Sequence, residues 1–408
     1  MDISEIQDLN NSDPLQDKAR EFHLPGDKIY LDGNFLGAMP KAVLERVQDV
    51  LKREWAEELI HSWNDNDWFV LPGKIGDKIA RLIGADKGEV IVSDCVSANI
   101  FKAVMAALRL QKGRTKIVTE LGNFPTNLYV LQGIEKMLDG KVELIAVERN
   151  EVLKSINDET AIVVLTHVHY KSSEVFDMAH YTEVAHSKGA LILWDLCHSA
   201  GVMPMDIARL DVDMVVGCGY KYLNGGPGAP AFVSVAKRLQ SKMEQPISGW
   251  WSHATPFLFD DNYNPAGDIR QMQSGTQSVL ALSALEVGID LALSADMNEV
   301  RKKSSQLGQV FINLLQENCP ALEIASPAND EKRGSHVSIR HEHGYAITQA
   351  LKARGIVVDF RAPDIIRFGF APLYNSYQDI WNTVQALKHI LDSGEWDRDE
   401  FKLQATVT

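Results

Sequence analysis

From about residue 75 to residue 235, short apolar runs alternate with segments of helical period, and that alternation leaves few folds open. Units of this kind pair their strands mostly in parallel, because each helix carries the chain back to the edge where the next strand begins. Candidate strands lie at 89–92, 116–119, 142–147, 161–166, 190–194, 214–216 and 231–235. In an open sheet of this class, ligands bind beyond the carboxyl ends of the strands. Ser97, Phe124, His167, Asp195 and Lys221 fall at or just past those ends, so the chemistry is expected there.

The chain has 408 residues, more than the ~250 to 300 at which a single core tends to split, so a second unit is expected. Residues 277–293 and 298–317 read as long amphipathic helices leading away from the sheet, and Asn318-Cys319-Pro320 ends that run. Strands at 323–325, 336–339, 357–360 and 365–368 follow, with helices at 344–354 and 377–391. The expected organisation is an α/β large domain over 61–294, a smaller α+β C-terminal domain over 295–408, and a segment over 1–60 packing with the small domain.

A net charge of -14 argues against nucleic acid and anionic membranes, both of which need clustered Lys and Arg, and leaves a small molecule as the expected partner. Cys95, Cys197, Cys218 and Cys319 are scattered without CxxC spacing, so neither a metal site nor a disulfide framework is expected. Met1-Asp2-Ile3-Ser4-Glu5 is polar, and no stretch approaches the ~18 apolar residues of a membrane span. A cytoplasmic location is the resulting expectation.

The chemistry is carried by Gly219-Tyr220-Lys221-Tyr222-Leu223 and Trp194-Asp195-Leu196-Cys197-His198. Most lysines are solvated surface groups, but Lys221 follows a buried apolar run and is ringed by Gly217, Gly219, Gly225, Gly226 and Gly228. A lysine so placed, with an aspartate from a neighbouring strand end, is what pyridoxal 5'-phosphate requires. The amine condenses with the aldehyde, and the carboxylate keeps the pyridine nitrogen protonated so that the ring draws electrons. Ser93-Asp94-Cys95-Val96-Ser97-Ala98-Asn99 leads into a helix whose first N–H groups suit a phosphate, with Ser97 adding a hydroxyl. Asn123-Phe124-Pro125-Thr126-Asn127 sets an aromatic ring where it would stack on the pyridine, a core phenylalanine being the lesser alternative. His198 likewise reads as either a site residue or a satisfied core histidine.

These motifs together resemble the kynureninase family, pyridoxal-phosphate enzymes of fold type I in the aspartate-aminotransferase superfamily. The resemblance spans nearly the whole chain, through Tyr30-Leu31-Asp32-Gly33-Asn34-Phe35-Leu36-Gly37, Ser62-Trp63, the two segments above, Gly249-Trp250-Trp251 and Gly275-Thr276-Gln277. Arg333-Gly334-Ser335-His336-Val337-Ser338 and Ile366-Arg367-Phe368-Gly369-Phe370 are its most family-specific parts. It implies that Lys221 carries the cofactor, Asp195 meets the pyridine nitrogen and Phe124 stacks on the ring. Val96, Ser97, Pro125, Thr126, Asn127, His198, Tyr220, Trp250 and Thr276 would complete the cofactor site. Trp250 and Thr276 would come from the second subunit of a homodimer. Arg367 would take the substrate carboxylate, Phe35 and Trp68 would lie against the rest of the substrate, and Tyr220 would be the proton donor.

The implied reaction is hydrolytic Cβ–Cγ cleavage of L-kynurenine or 3-hydroxy-L-kynurenine to anthranilate or 3-hydroxyanthranilate plus L-alanine, a step of tryptophan catabolism that feeds NAD biosynthesis. The chain departs from the family pattern at two places: Phe35 stands where serine is usual, and Asn127 where aspartate is usual. Three rivals remain at this point. One is a related lyase acting on a different β-acyl amino acid, and another is a non-catalytic cofactor-binding paralogue. The third, a cysteine desulfurase, needs a nucleophilic cysteine well past the lysine, where this chain has only Cys319.

Overall fold

A computed structural model describes residues 1–404. Seven strands form the central sheet, in the spatial order Val90–Val92, Phe232–Val235, Met214–Gly217, Leu191–Asp195, Thr160–Thr166, Lys116–Glu120 and Glu143–Val147. Every neighbouring pair is parallel except the two made by Phe232–Val235, which runs antiparallel to both of its neighbours. The interior strands are buried along their length, as expected of a sheet covered on both faces. One face packs Ile75, Ile79, Trp194 and Leu285, the other Ile100, Val104, Leu131 and Leu193. This is the α/β architecture that the alternation of patterns requires.

The C-terminal part builds a four-stranded antiparallel sheet in the order Glu323–Ile324, His336–Arg340, Ile365–Gly369, Asp359–Arg361. The helices Met297–Asn318, Gly344–Ala353 and Tyr377–Ser393 pack Phe311, Ile347 and Leu387 against it. The single strand expected at 357–360 is two. Ile356–Val357 pairs in parallel with Ile29–Tyr30, and Asp359–Arg361 pairs with Ile365–Gly369, the chain changing partners at the buried Val358. Propensity alone does not distinguish one strand from two short ones that serve different sheets.

The segment over 1–60 also divides. Ile6 and Leu31 join the small-domain core, whereas the helix Ala42–Asp49 packs on Val279–Leu293. Between them the stretch 32–37 crosses the mouth of the large sheet: the Gly37 N–H donates to the Tyr220 carbonyl at 2.8 Å. A Cβ at Gly37 would strike the Lys221 carbonyl oxygen, so only glycine permits this approach.

Candidate active site

The carboxyl ends of the parallel strands open into a cavity of about 180 Å³ lined by Val96, Ser97, Phe124, Thr126, Thr166, Asp195, Cys197, His198, Tyr220 and Lys221 among others. Each lining residue is placed by a strand end or a helix start. Asp195 is the last residue of Leu191–Asp195, and Lys221 lies four residues beyond Met214–Gly217 on the next strand over.

Asp195 is buried, yet both its oxygens are engaged: Oδ1 accepts the Cys197 N–H at 2.8 Å, and Oδ2 accepts the Asn127 amide at 2.9 Å. Asn127 is fully buried and also donates to Thr166 Oγ1 at 3.1 Å, while its own Oδ1 has no partner. Lys221 is buried, with Nζ 3.2 Å from His198 Nε2, 5.8 Å from the centroid of Phe124 and 6.0 Å from that of Tyr220. Burial first, then the charge of Lys221, holds His198 well below the ordinary histidine range, so its ring is neutral. Its Nε2 also lies 3.0 Å from the Asn34 carbonyl, which ties the 32–37 stretch to the lysine. Burial, reinforced by Cys218, Cys197 and Asp195, pushes the Tyr220 phenol upward, so it keeps its proton.

At one end of the cavity the helix Val96–Leu110 begins, earlier than the sequence pattern suggests, so Val96 and Ser97 are its first two residues. No side chain caps this terminus. Ser97 Oγ lies 2.8 Å from Thr126 Oγ1, and Thr126 is the second residue of another helix, Pro125–Met137, for which Phe124 is the preceding residue. Free helix N–H groups, the positive end of the helix dipole and two adjacent hydroxyls form a phosphate cradle. With Asp195 for a ring nitrogen, Phe124 at the mouth and Lys221 for an aldehyde, the residues fit the phosphate, ring nitrogen and aldehyde of pyridoxal 5'-phosphate.

Other expected residues lie elsewhere. His167 is at a strand end but on the opposite face, edge-on to Trp194 at 6.1 Å; the alternation of side chains along the strand gives the cavity to Thr166 instead. Trp68 is turned inward, its Nε1 donating to Glu54 at 2.6 Å and its ring against Trp63. Trp250 and Thr276 are exposed and do not line this chain's own cavity. Phe35 is half-exposed beneath the guanidinium of Arg361, 5.0 Å from its ring centroid. Arg367 is buried, and its Nε and Nη2 both donate to Asp359. Thr166, Cys197, Asp359 and Arg361 are the residues that sequence reasoning missed. For Thr166 a signal existed in the period-two alternation of its strand, whereas Asp359 and Arg361 depend on the register of the strand pair that sets Asp359 opposite Arg367. Cys319 is buried in the small-domain core, where burial pushes its thiol up to about 11, unlike a poised nucleophile.

Residues 300–387 match the kynureninase C-terminal domain, and residues 73–247 match the Cys/Met metabolism PLP-dependent enzyme family. Proteins described as kynureninase from Burkholderia pseudomallei (strain 1106a) and Pseudomonas fluorescens are 45% and 44% identical to this chain, each over 98% of both chains. Among solved structures, a cysteine desulfurase from Thermococcus onnurineus superposes with a TM-score of 0.78 over 96% of this chain and 99% of its own, at 18% identity. One from Escherichia coli does so at 0.77 over 93% and 98%, also at 18%. At that identity the likeness is one of fold, fold type I, and extends no further.

Proposed function

Because the chain belongs to the kynureninase family, a family of pyridoxal-phosphate-dependent hydrolases, we propose that it cleaves the Cβ–Cγ bond of L-kynurenine or its 3-hydroxy form with water, yielding the anthranilate and L-alanine. The observation that carries this reading is the convergence of Lys221, the doubly hydrogen-bonded Asp195 and the uncapped Val96–Leu110 terminus on one cavity. When bound there, pyridoxal 5'-phosphate supplies an aldehyde for the substrate amine and a ring that takes up the electrons released at Cα.

The protein's own groups do the rest. Ser97, Thr126 and the helix N–H groups bind the phosphate; Asp195 accepts the hydrogen bond of the ring nitrogen, and the Asn127 amide and Cys197 N–H keep that carboxylate in place. Lys221, once its amine is free, carries the proton from Cα, and the neutral His198 beside it adds no competing charge. Tyr220 retains a proton under the conditions of turnover and delivers it to Cβ as the acyl group leaves. Arg367 receives the substrate carboxylate, a task suited to a guanidinium.

A homodimer completes the proposal. Trp250 and Thr276, exposed here and outside their own cavity, would face the partner's, and Phe257, Leu258 and Phe259 beside Trp250 are apolar side chains left in solvent. A cytoplasmic enzyme of tryptophan catabolism, divided into the 61–294 and 295–408 domains, is the corresponding whole. Among the described residues no helix is long and apolar enough to cross a membrane.

Product analysis tests the reaction. Purified holoenzyme given each kynurenine in turn should release alanine and the matching anthranilate in equal amounts, and Tyr220→Phe should lower kcat without loss of cofactor. Release of neither product from either substrate would contradict the assignment and favour a different β-acyl amino acid.

A further inference from the structure

Two guanidiniums and two carboxylates gather at the small-domain sheet, beside the 32–37 stretch that reaches His198. Asp359 and Arg367 are directly paired across neighbouring antiparallel strands, and Arg361, two residues along, projects from the same face as Asp359. Arg367 donates Nε to Asp359 Oδ1 at 2.7 Å, Nη2 to Asp359 Oδ2, and Nη1 to the Tyr170 carbonyl at 2.7 Å. A guanidinium has five N–H donors, so one remains on each terminal nitrogen. Arg361 Nη2 approaches the same Asp359 Oδ2 at 2.8 Å, and its Nη1 donates to the Phe360 carbonyl at 3.0 Å.

The second carboxyl is Asp32, which is buried and has one oxygen without a partner. Burial first, then the charge of Asp359, pushes it well above the ordinary carboxylate range, against the pull of Arg367 and Arg361. Asp32 is thereby drawn toward its neutral form. Asp359 is the carboxylate that both guanidiniums contact, and it leaves the far edge of Arg367 uncovered.

We propose that Asp359 is a positioning residue. It grips one edge of Arg367, is itself shared with Arg361, and so fixes the two remaining Arg367 donors toward the carboxylate of a ligand. The inference rests on the reading of Arg367 as the carboxylate receiver and supplies the means by which a buried arginine is held for it.

The test compares L-kynurenine with kynuramine, the same ligand without its carboxylate, each titrated against holoenzyme by the change in cofactor absorbance. Asp359→Asn should weaken L-kynurenine binding about tenfold or more, the loss expected on disturbing a charge-assisted bond. Kynuramine binding should be unchanged, and KM should rise far more than kcat falls. Asp359→Glu, which keeps the charge, should show the same selective loss to a smaller degree, and serves alone if the amide variant does not fold. Equal weakening of both ligands would mean that Asp359 merely supports the fold, and no weakening of either would dismiss it; both outcomes overturn the proposal. Arg367→Lys separates the two claims. If it spares both ligands, the reading of Arg367 fails; if it selectively weakens L-kynurenine while Asp359→Asn does not, only the inference about Asp359 fails.

Discussion

Asn127 shows how one atom in a side chain alters a site. An aspartate there would set a second carboxylate against Asp195, which the amide now approaches at 2.9 Å as a donor. Two carboxylates so close oppose each other until a cation sits between them. Asn127→Asp should therefore lower the melting temperature of cofactor-free protein and gain more from added pyridoxal 5'-phosphate than wild type does, with kynurenine cleavage preserved or raised; equal cofactor-induced shifts in thermal melts would contradict this. Glu120 illustrates a different penalty. It is 1% exposed with one oxygen unpartnered, and burial, only partly opposed by Arg149, pushes its carboxyl up to about 7. Because the folded state holds this proton more tightly than the unfolded chain, stability is unaffected well below pH ~4.5 and declines as pH rises toward ~7, by roughly 3 kcal/mol in all. Glu120→Gln removes the titration. The variant should match or trail wild type in acid but exceed it at pH 8 in denaturant melts; a constant difference across that range would place the titration elsewhere.

At the scale of elements, the large sheet was legible because its signal is repeated: seven apolar runs at regular spacing, each found within a residue or two of its expected place. The start of Val96–Leu110 was less so, since Ser93, Asp94, Ser97 and Asn99 all resemble caps and the backbone chose Cys95, which caps nothing. The absence of a cap leaves the terminus available for phosphate. Ser97→Ala should accordingly weaken cofactor binding several-fold while leaving thermal stability of the cofactor-free protein unchanged, as measured by equilibrium dialysis and melting. That same helix carries Lys102, an exception to every expectation for a lysine. It is fully buried, and Nζ donates to Asp94 Oδ2 at 2.7 Å, to Ser93 Oγ at 3.2 Å and to the Met272 carbonyl, fastening the stretch that leads to Thr276. Ser274 Oγ also donates to Asp94, at 2.8 Å. No local pattern announces such a clamp, because its partners lie far away in sequence. Lys102→Met leaves Asp94 without its cation and should cost on the order of 3 kcal/mol in unfolding experiments.

For the molecule as a whole, the large and small sheets are joined through the 32–37 stretch, which meets Lys221 at Gly37, His198 at Asn34 and, through a bridge from Asp32 to Gly369, the small-domain sheet. Residues legible in the sequence, Asp195 and Lys221 above all, are those whose place follows from a strand end. Residues that were not, such as Asp359 and Arg361, owe theirs to the register of the small-domain strands, which sets Asp359 opposite Arg367. The proposed dimer extends the same logic across subunits. If Trp250 and Thr276 serve the partner's site, Lys221→Ala and Trp250→Ala proteins, each inactive or nearly so, should regain activity when mixed and allowed to exchange subunits, because one site of each mixed dimer is then intact. Absence of rescue in dimers proven to be mixed would place Trp250 outside the shared site. The central claim is narrower and more directly tested: that one lysine, Lys221, holds the cofactor. Holoenzyme reduced with borohydride, digested and mapped by mass spectrometry should carry the reduced pyridoxyl group on the peptide containing Lys221, with its visible absorbance lost, and attachment at another lysine, or none, would contradict the account.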